Sequence, residues 1–295
     1  ARPVQSTPLI LAPAMNREMW SHPATQRNVS QLRQDGATVL GVAQGDQACG
    51  ETGDGRMLEP EDIFEDLCDF FEPQVLASKR VLINAGPTFE PIDPVRGLTN
   101  LSSGKMGFAL ARAARAAGAS VTLVSGPVHL STPRGVRRVD VQTAKDMHDQ
   151  VLLEAEHADV FIATAAVADW RVKNYSSSKL KKGEQKQPPQ LEFEENPDIL
   201  SAVAHGQRAL DKALFCVGFS AESHDLLQHA SEKRIRKGVP LMVGNLGPMT
   251  FGRDDNELLL IDANGVKTLE RNTKEELARL LVADVAHRLN GFFEG

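Results

Sequence analysis

The stretch 80–107, RVLINAGPTFEPIDPVRGLTNLSSGKMG, constrains the fold of this chain more than any other segment. It opens with a short apolar run, residues 80–85, which is rich in β-branched residues and ends at Gly86-Pro87, a pattern typical of a buried parallel strand. It closes with Ser102 and Ser103 before an alanine-rich segment, and these serines are predicted helix N-caps. A strand, a loop and a helix in this order predict the first crossover of a nucleotide-binding fold, where a phosphate can bind.

The loop within this stretch lacks the two common phosphate-binding motifs. No second glycine follows Gly86 at the offset that G-x-G-x-x-G requires, and Gly104-Lys105 is followed by Met106 rather than by the Ser or Thr of a P-loop. What remains is a long, proline-stiffened loop that carries Arg96 and Asn100 to the helix start. Loops of this length are more often functional than not. From the loop alone, an ordinary connection before a capped helix remains an equal alternative.

Composition restricts the class of protein. The 295 residues suit about two domains, and 41% hydrophobic content suffices for a proper core. A net charge of -6 argues against nucleic acid as the main partner. Cys49, Cys68 and Cys216 lack C-x-x-C spacing, so we expect neither a disulfide framework nor a zinc site, and a reducing cytoplasmic location. No apolar run approaches membrane-spanning length. The mid-domain character of the sequence from Ala1 onward leads us to expect a fragment of a longer protein.

Alternating strand and helix patterns predict a parallel sheet with helices on both faces. We expect a Rossmann-like, doubly wound, mostly parallel α/β sheet that ends in a β-hairpin and a helix, spanning residues 80–295. A linker, residues 73–79, would separate it from a first block, residues 1–72, that is too short to close its own sheet. The predicted strands of the main sheet are 80–85, 120–124, 136–141, 159–168, 214–220 and 239–245, with a hairpin at 257–262 and 266–269.

Two segments lack apolar periodicity. Residues 47–60, QACGETGDGRMLEP, are glycine-rich and predict a mobile loop or flap. Residues 173–190, KNYSSSKLKKGEQKQPPQ, have the composition of a solvated loop, but they follow a predicted strand end. Lys179, Lys181 and Lys182 could therefore fold over an anionic ligand. Asn196 is the predicted cap of the next helix, with Pro197 at its first position.

Other chemistries find little support in the sequence. Ser220 lacks the final glycine of a nucleophile elbow, and the histidines show no metal-binding spacing, so we expect no protein-ligated catalytic metal. Magnesium that arrives on a nucleotide stays possible because it needs few protein ligands. The cations at 233–237 end a predicted helix, where they suit its negative end without any ligand.

Several motifs occur in one order along the chain: AGPTFEPIDPVRGLTNLSSGKMGFALA, ATAAVADWR, SSKLKK, NPDI, VGFSAE and EKRIRK. In these motifs the chain resembles the bacterial bifunctional phosphopantothenoylcysteine decarboxylase / phosphopantothenate-cysteine ligase family of coenzyme A biosynthesis. The resemblance covers nearly the whole chain, and Asn84 departs from it where a threonine or similar residue is expected. A nicotinamide-dependent oxidoreductase on the same fold is the alternative, against which the missing glycine fingerprint and the lysine-rich segment speak.

The resemblance implies a CTP-dependent ligation of 4'-phosphopantothenate with L-cysteine. The substrate carboxylate would attack the α-phosphate of CTP, with Mg²⁺ present, to give an acyl-cytidylate and pyrophosphate. The cysteine amine would then displace CMP and yield 4'-phosphopantothenoylcysteine. The resemblance further implies a homodimer that forms through the ligase domain, and a higher oligomer if the decarboxylase domain is complete. From composition we expect a cytoplasmic protein with no nucleic acid or membrane partner.

The resemblance also assigns roles to individual residues. Asn100 would hold the acyl-cytidylate for attack by cysteine, Arg96 would lie beside it at the substrate, and Lys179 would be needed to form the intermediate. The positions that match the nucleotide site of the family are Gly86, Ala165, Asp169, Lys179, Asn196, Pro197, Asp198, Ile199, Phe219, Lys233 and Lys237.

The first block resembles the end of the FMN-dependent decarboxylase domain, which implies a fragment of a flavodoxin-like α/β fold. In the motif Pro13-Ala14-Met15-Asn16, Asn16 would contact the substrate carboxylate. Cys49 would protonate the decarboxylated enethiolate. The catalytic histidine and most of the flavin-binding half of the family would lie upstream of Ala1, so we expect no decarboxylase activity from this chain and at best a partial FMN site.

Overall fold

A computed structural model of the chain describes residues 7–47, 50–181, 190–209, 214–222, 225–246 and 255–292. The chain divides into two compact units between Glu72 and Pro73. Residues 73–79, the predicted linker, belong to the second unit, and Leu76 among them is buried in its core.

The first unit is built from short elements. β1 and β2 pair in parallel, and β3 and β4 form an antiparallel hairpin. In chain order the elements are β1 (Ile10–Leu11), α1 (Arg17–Ser21), α2 (Pro23–Gln34), β2 (Thr38–Val39), β3 (Ala43–Asp46), β4 (Thr52–Arg56) and α3 (Pro60–Phe71).

The hairpin of the first unit corrects the expectation of an irregular loop at 47–60, because β4 lies within that segment. The glycines of this segment made its sequence pattern typical of a loop rather than of a strand. Gly55 has a φ of +130°, and a side chain at this position would meet the carbonyl oxygen of Met15 at 2.4 Å. The Gly55 carbonyl accepts a hydrogen bond from the Met15 N–H at 2.8 Å, so the hairpin needs glycine for this close approach rather than for flexibility.

The second unit contains an eight-stranded sheet in the order β16-β15-β14-β13-β10-β5-β8-β9. The six strands from β14 to β9 in this order are parallel, and β15 and β16 add an antiparallel hairpin at one edge. This confirms the predicted fold class. The elements are β5 (Arg80–Ala85), β6 (Phe89–Pro91), β7 (Gly97–Thr99), α4 (Lys105–Ala116), β8 (Ser120–Ser125), β9 (Arg137–Asp140), α5 (Ala144–Ala155), β10 (Val160–Ala163), β11 (Trp170–Val172), β12 (Phe193–Glu195), α6 (Ile199–Ala209), β13 (Phe215–Glu222), α7 (Leu226–Lys237), β14 (Leu241–Leu246), β15 (Asp255–Ile261), β16 (Val266–Thr273) and α8 (Lys274–Phe292).

Both faces of this sheet are covered by helices. Successive residues of β5 point to opposite layers: Val81 and Ile83 pack with one apolar cluster and Leu82 with the other. Helices α4 and α8 contribute to the first cluster, and α5, α6 and α7 to the second. Continuous apolar strands such as β10 therefore follow from burial on both faces, as in other parallel sheets.

The predicted strand at 159–168 ends early, at Ala163. After this residue the chain leaves the sheet and crosses the end of β5, where Ala166 forms an isolated parallel bridge with Pro87. The apolar residues just beyond Ala163 line a cavity instead of lying in the sheet, and Ala165 and Val167 also pack against the second apolar cluster. Apolar composition alone cannot distinguish these two environments.

Two predicted helix caps are wrong. Gly104 is the N-cap of α4, with a φ of +76° and no side-chain cap, because a side chain there would lie 3.3 Å from the Gly86 Cα. Ser102 only accepts the Gly104 N–H through its hydroxyl. In α6 the Asp198 carboxylate accepts the N–H of Ser201 at 3.0 Å, so Asp198 rather than Asn196 fills the capping role.

Within the described part of the chain, no helix combines the length and the apolar character needed to cross a membrane.

The contact between α4 and β5 leads to a stability prediction. A Cβ at Gly107 would lie 2.4 Å from the Ala85 Cβ and 2.5 Å from the Thr164 Oγ1, both on packed backbone. We expect Gly107→Ala to lower the free energy of unfolding by about 1–3 kcal/mol through overpacking. The matched control is Gly206→Ala in α6, where a Cβ meets nothing within 4 Å, and which should gain about 0.5–1 kcal/mol from helix propensity. Urea denaturation of both variants measures the difference; equal behaviour would contradict this packing account.

Candidate active site

A cavity of about 710 Å³ lies at the carboxyl ends of β5, β10, β13 and β14. This is where ligands bind in open parallel sheets, and the volume is within the range of ligand pockets. Loops after the strands and the first residues of helices form its walls. The lining residues are Asn84, 102–107, 163–170, 195–200, Phe219, Ala221, Lys233, Arg236, Lys237, Asn245, Asn256 and Lys274.

Asn84, the departure from the family pattern, supports one wall of this cavity. Its side chain is 1% exposed, and its Oδ1 accepts the backbone N–H groups of Thr164 and Ala165 at 3.0 and 3.2 Å. The Thr164 hydroxyl in turn donates to the Asn84 carbonyl at 2.6 Å. The Thr164 N–H also reaches the Asn84 carbonyl at 3.2 Å, so the carboxamide extends the backbone hydrogen bonding by one residue, to Ala165, where β10 ends.

The antiparallel pair β11–β12 brings Asn196 back to the loop that carries Asp169. The Asn196 Nδ2 donates to the Ala168 carbonyl at 2.9 Å, and its backbone N–H donates to the Asp169 carbonyl at 2.8 Å. Its Oδ1 accepts a hydrogen bond from the Arg171 guanidinium at 3.0 Å. The structure thus places Asn196 and Asp169 together on the same wall, although they are 27 positions apart in the sequence.

The last turns of α7 supply cations to the cavity wall. Lys237 forms an ion pair with Asp198 while only 15% of its side chain is exposed. Burial lowers the pKa of Lys237, and the nearby Asp169 carboxylate partly offsets that effect. Lys233 points its ammonium towards the Phe219 carbonyl, 3.4 Å away. Cations that could merely have matched the helix dipole therefore lie in the cavity wall.

The charge of the wall favours an anionic ligand. Among the described lining residues, the cationic side chains are those of Lys105, Lys233, Arg236, Lys237 and Lys274. The carboxylates are those of Asp169, Glu195 and Asp198. The lining residues therefore carry a net positive charge, although the net charge of the chain is -6. This local charge attracts phosphate groups to the cavity.

Asn100 lies next to the cavity rather than in its wall. Its Nδ2 donates to the carbonyl of the lining residue Ala166 at 2.9 Å, and that carbonyl also accepts the Thr88 N–H at 3.3 Å. The Thr88 hydroxyl accepts the Ala168 N–H at 3.0 Å. The Asn100 carboxamide is consequently held against the loop that bears Asp169.

The segment that carries Lys179 is attached to the loop that carries Arg96. The Arg96 guanidinium donates to the Leu180 carbonyl at 2.8 Å. Lys179 itself is exposed and is not among the lining residues. The structure therefore ties the residue after Lys179 to Arg96, and it ties Asn100 to the cavity wall, but it records no direct contact between Asn100 and Lys179.

Gly86 is not among the residues that line the cavity. Gly86 packs against Gly104, and its carbonyl accepts the Ala166 N–H at 2.9 Å. Gly86 therefore joins the loop after β5 to the loop after β10 and to the start of α4. Asn16 accepts the Glu18 N–H and donates to the Glu51 carboxylate, each at 2.8 Å. Cys49 and Lys182 lie outside the described residues.

The first unit by itself offers little to a flavin. Its buried described side chains are those of Val29, Leu40, Leu58 and Asp66. Among the described residues of this unit, these four side chains by themselves are too few to form the largely apolar pocket that a flavin ring needs. Likewise, no group of three or more potential ligands that could hold a metal ion occurs among the residues that the structure describes.

The sequence patterns missed several lining residues. Lys274 begins α8 and Lys105 begins α4, so both helices of one face start at the cavity with a cation. Lys274 is 6% exposed and Asn256 is 5% exposed. A lysine at the first position of a helix opposes the helix dipole, and this was the one available signal that Lys274 serves something other than the helix.

Comparison with known proteins agrees with this fold. The sequence model of the family described as "DNA/pantothenate metabolism flavoprotein C-terminal domain" matches residues 76–289, and that described as "Flavoprotein" matches residues 2–72. The solved C-terminal domain of a coenzyme A biosynthesis bifunctional protein CoaBC superposes with a TM-score of 0.62 at 36% identity, over 74% of this chain and 99% of that chain. The DNA/pantothenate metabolism flavoprotein from Streptococcus pneumoniae shares the fold, with a TM-score of 0.61 at 21% identity over 72% of this chain and all of that chain.

Full-length relatives extend the match. The coenzyme A biosynthesis bifunctional protein CoaBC of Vibrio cholerae is 46% identical over 276 residues, which cover 92% of this chain and 68% of the relative. That of Escherichia coli K12 is 42% identical over 286 residues, which cover 95% of this chain and 70% of the relative. These matches confirm the resemblance that the sequence motifs indicated. The chain belongs to the family of bifunctional coenzyme A biosynthesis proteins CoaBC.

Proposed function

We propose that the second unit is a phosphopantothenate-cysteine ligase that uses CTP. The observation that carries this proposal is the cavity with its excess of cations, at the carboxyl ends of the parallel strands. It lies beside Asn100, whose carboxamide is held at the lining residue Ala166. The family favours coenzyme A biosynthesis over the alternative of a nicotinamide-dependent oxidoreductase. The connection from β5 to α4 supports this choice, because it is a long loop with its own hairpin, β6–β7, and not a short glycine turn.

The chemistry explains why such a cavity is needed. A carboxylate is a poor electrophile, so its oxygen first attacks the α-phosphorus of CTP, and the bond to the β-phosphate breaks to release pyrophosphate. The amine nitrogen of cysteine then attacks the acyl carbon, the bond to CMP breaks, and the nitrogen loses a proton. Cations stabilise the negative charge that develops on phosphate in the first step. Lys233 and Lys237, together with Lys179 from the attached segment, are the residues that we assign to that charge.

The remaining assignments follow the geometry of the wall. We assign Asp169, Asn196 and the segment 197–199 to the nucleoside half of CTP, because the hydrogen bonds of Asn196 join these residues on one wall. Phe219 and Ala165 supply apolar surface beside them. Mg²⁺ would bind with the triphosphate and needs no ligand cluster of the protein. For the first unit the flavoprotein match favours a flavin-dependent decarboxylase role. The use of FMN, the contact of Asn16 with the substrate carboxylate and proton donation by Cys49 remain predictions.

A homodimer is part of the proposal. The loops beside the cavity expose large apolar side chains: Val95 is 63%, Leu101 88% and Trp170 51% exposed. Such side chains next to a ligand site suit a protein interface. Multi-angle light scattering of the protein should report twice the mass of the chain, and a monomer at micromolar concentration would contradict the proposal.

CTP should protect the protein from thermal unfolding. A ligand at a concentration of 100 times its Kd stabilises the folded state by about 2.7 kcal/mol when it binds only that state. We therefore expect CTP with Mg²⁺ to raise the Tm of the second unit, and NAD⁺ and NADP⁺ to leave it unchanged. Differential scanning calorimetry makes the comparison. A larger shift with a nicotinamide nucleotide than with CTP would favour the oxidoreductase.

The two half-reactions should separate in two variants. Lys179→Gln removes a cation that we assign to the transferring phosphate, so pyrophosphate release should fall about 100- to 1,000-fold. Asn100→Asp puts a negative charge beside the phosphate of the acyl-cytidylate and should slow the cysteine step, so that the intermediate accumulates. Rapid-quench assays with CTP, Mg²⁺, phosphopantothenate and cysteine measure pyrophosphate, acyl-cytidylate and CMP. Lys173→Gln and Asn28→Asp, at exposed positions outside the cavity wall, are the matched controls. Equal loss of both steps in the two test variants would refute this division.

A further inference from the structure

Asp93 is a buried carboxylate in the loop between β6 and β7 to which the assigned roles give no task. The residue is 2% exposed, and its side chain is fully buried. Its Oδ1 accepts the backbone N–H groups of Val95 and Arg96, each at 2.8 Å. Its Oδ2 accepts the Arg96 Nε at 3.0 Å and also pairs with the Arg96 Nη2. The Arg96 guanidinium, followed by these backbone donors, holds the pKa of Asp93 well below its usual range, against the opposing effect of burial.

This ion pair grips one residue of a distant segment by both of its backbone polar groups. The Leu180 N–H donates to the Asp93 Oδ2 at 3.1 Å, and the Leu180 carbonyl accepts from the Arg96 Nη2 at 2.8 Å. The two side chains therefore present an acceptor and a donor to Leu180, as a neighbouring β-strand would. A second link, from the Ser176 N–H to the Ile92 carbonyl at 3.1 Å, joins the same two segments.

The clamped residue follows Lys179 directly. The segment around it is rich in lysine and serine and has little apolar surface with which to anchor itself. Each immobilised residue costs conformational entropy, so an exposed lysine in such a segment needs an anchor to occupy a defined position. Charge-assisted hydrogen bonds to the backbone supply that anchor here.

We propose that the Asp93–Arg96 pair is a clamp that sets the position of Lys179 for formation of the acyl-cytidylate. The proposal rests on the ligase function above and adds a positioning residue, Asp93, to it. It also changes the account of Arg96. Because its Nε and Nη2 are engaged by Asp93 and Leu180, Arg96 acts on the first half-reaction through Lys179, beyond any contact that it makes with substrate.

The test substitution is Asp93→Asn, which keeps the size of the side chain and an oxygen for the Val95 and Arg96 N–H groups. The new amide cannot accept the Leu180 N–H through its nitrogen and cannot pair with the guanidinium. We expect pyrophosphate release to fall about 100-fold, the loss that a small misplacement of a catalytic group causes. The KM for CTP should change much less, because the cavity wall is untouched. The matched control is Asp140→Asn, which removes the exposed carboxylate of the Arg138–Asp140 pair on β9 and should leave the rate unchanged.

Limited proteolysis tests the clamp without any turnover. Trypsin cleaves the Lys179–Leu180 bond only when this segment detaches from the protein and its backbone can enter the active site of the protease. Losing the hydrogen bonds between Leu180 and the charged pair should raise cleavage after Lys179 at least about tenfold in Asp93→Asn, as measured by mass spectrometry of the peptides. Unchanged cleavage would overturn the clamp. If the unmodified protein releases no pyrophosphate from CTP, the proposed ligase function fails, and the proteolysis result still decides whether the clamp exists.

A double-mutant cycle distinguishes positioning from general loss of structure. If Asp93 acts through Lys179, then Asp93→Asn should add no more than about threefold to the loss of pyrophosphate release already caused by Lys179→Gln. Full additivity would overturn the proposal. Should Asp93→Asn fail to fold, Leu180→Pro removes the clamped N–H and leaves both members of the ion pair in place. Because trypsin does not cut a Lys–Pro bond, cleavage of this variant is measured after Lys181. The variant should show increased cleavage there and a slower first half-reaction, and wild-type behaviour in both assays would contradict the clamp.

Discussion

The site depends on the hydrogen bonds that join the loop after β5 to the loop after β10 across the end of the sheet. One carbonyl, that of Ala166, accepts both the Thr88 N–H and the Asn100 carboxamide, and the Thr88 hydroxyl accepts the Ala168 N–H. The two strands pair in parallel, so their loops emerge at the same edge. This crossing gives the loops a defined geometry where the ladder has ended, and it brings the Asn100 segment to the cavity wall.

Several charged side chains in the cavity wall are largely buried. Lys237 pairs with Asp198 and has its pKa lowered by burial, and Lys274 is 6% exposed in the same wall. Buried ion pairs seldom stabilise a fold more than apolar residues of similar volume would. A group of such charges at the carboxyl ends of parallel strands is therefore better explained by recognition of an anion than by stability, which agrees with the nucleotide chemistry of the proposed reaction.

The residues assigned to chemistry lie on loops and in the last turns of α7, and hydrogen bonds from buried or half-buried polar side chains fix the loops. Asn84 holds the start of one loop, Asn196 joins two others, and Asp93 grips the segment that carries Lys179. Each fixes a backbone segment outside the regular strands by side-chain hydrogen bonds. The parallel sheet is a rigid scaffold, and side-chain hydrogen bonds hold the loops in defined positions relative to it.

The sequence by itself determined the order of strands and helices, the parallel sheet with its final hairpin, and the family, because apolar periodicity and ordered motifs are local properties of the chain. It also identified Asp169, Asn196 and Lys237, which the structure places in one wall. Only the tertiary structure decided that Asp198 rather than Asn196 caps α6, that Gly104 is the N-cap of α4, and that 47–60 contains a strand. It alone also revealed Asp93 and Lys274. Their surroundings come from segments tens of residues away, and local patterns carry no information about which distant backbone groups a buried charge will meet.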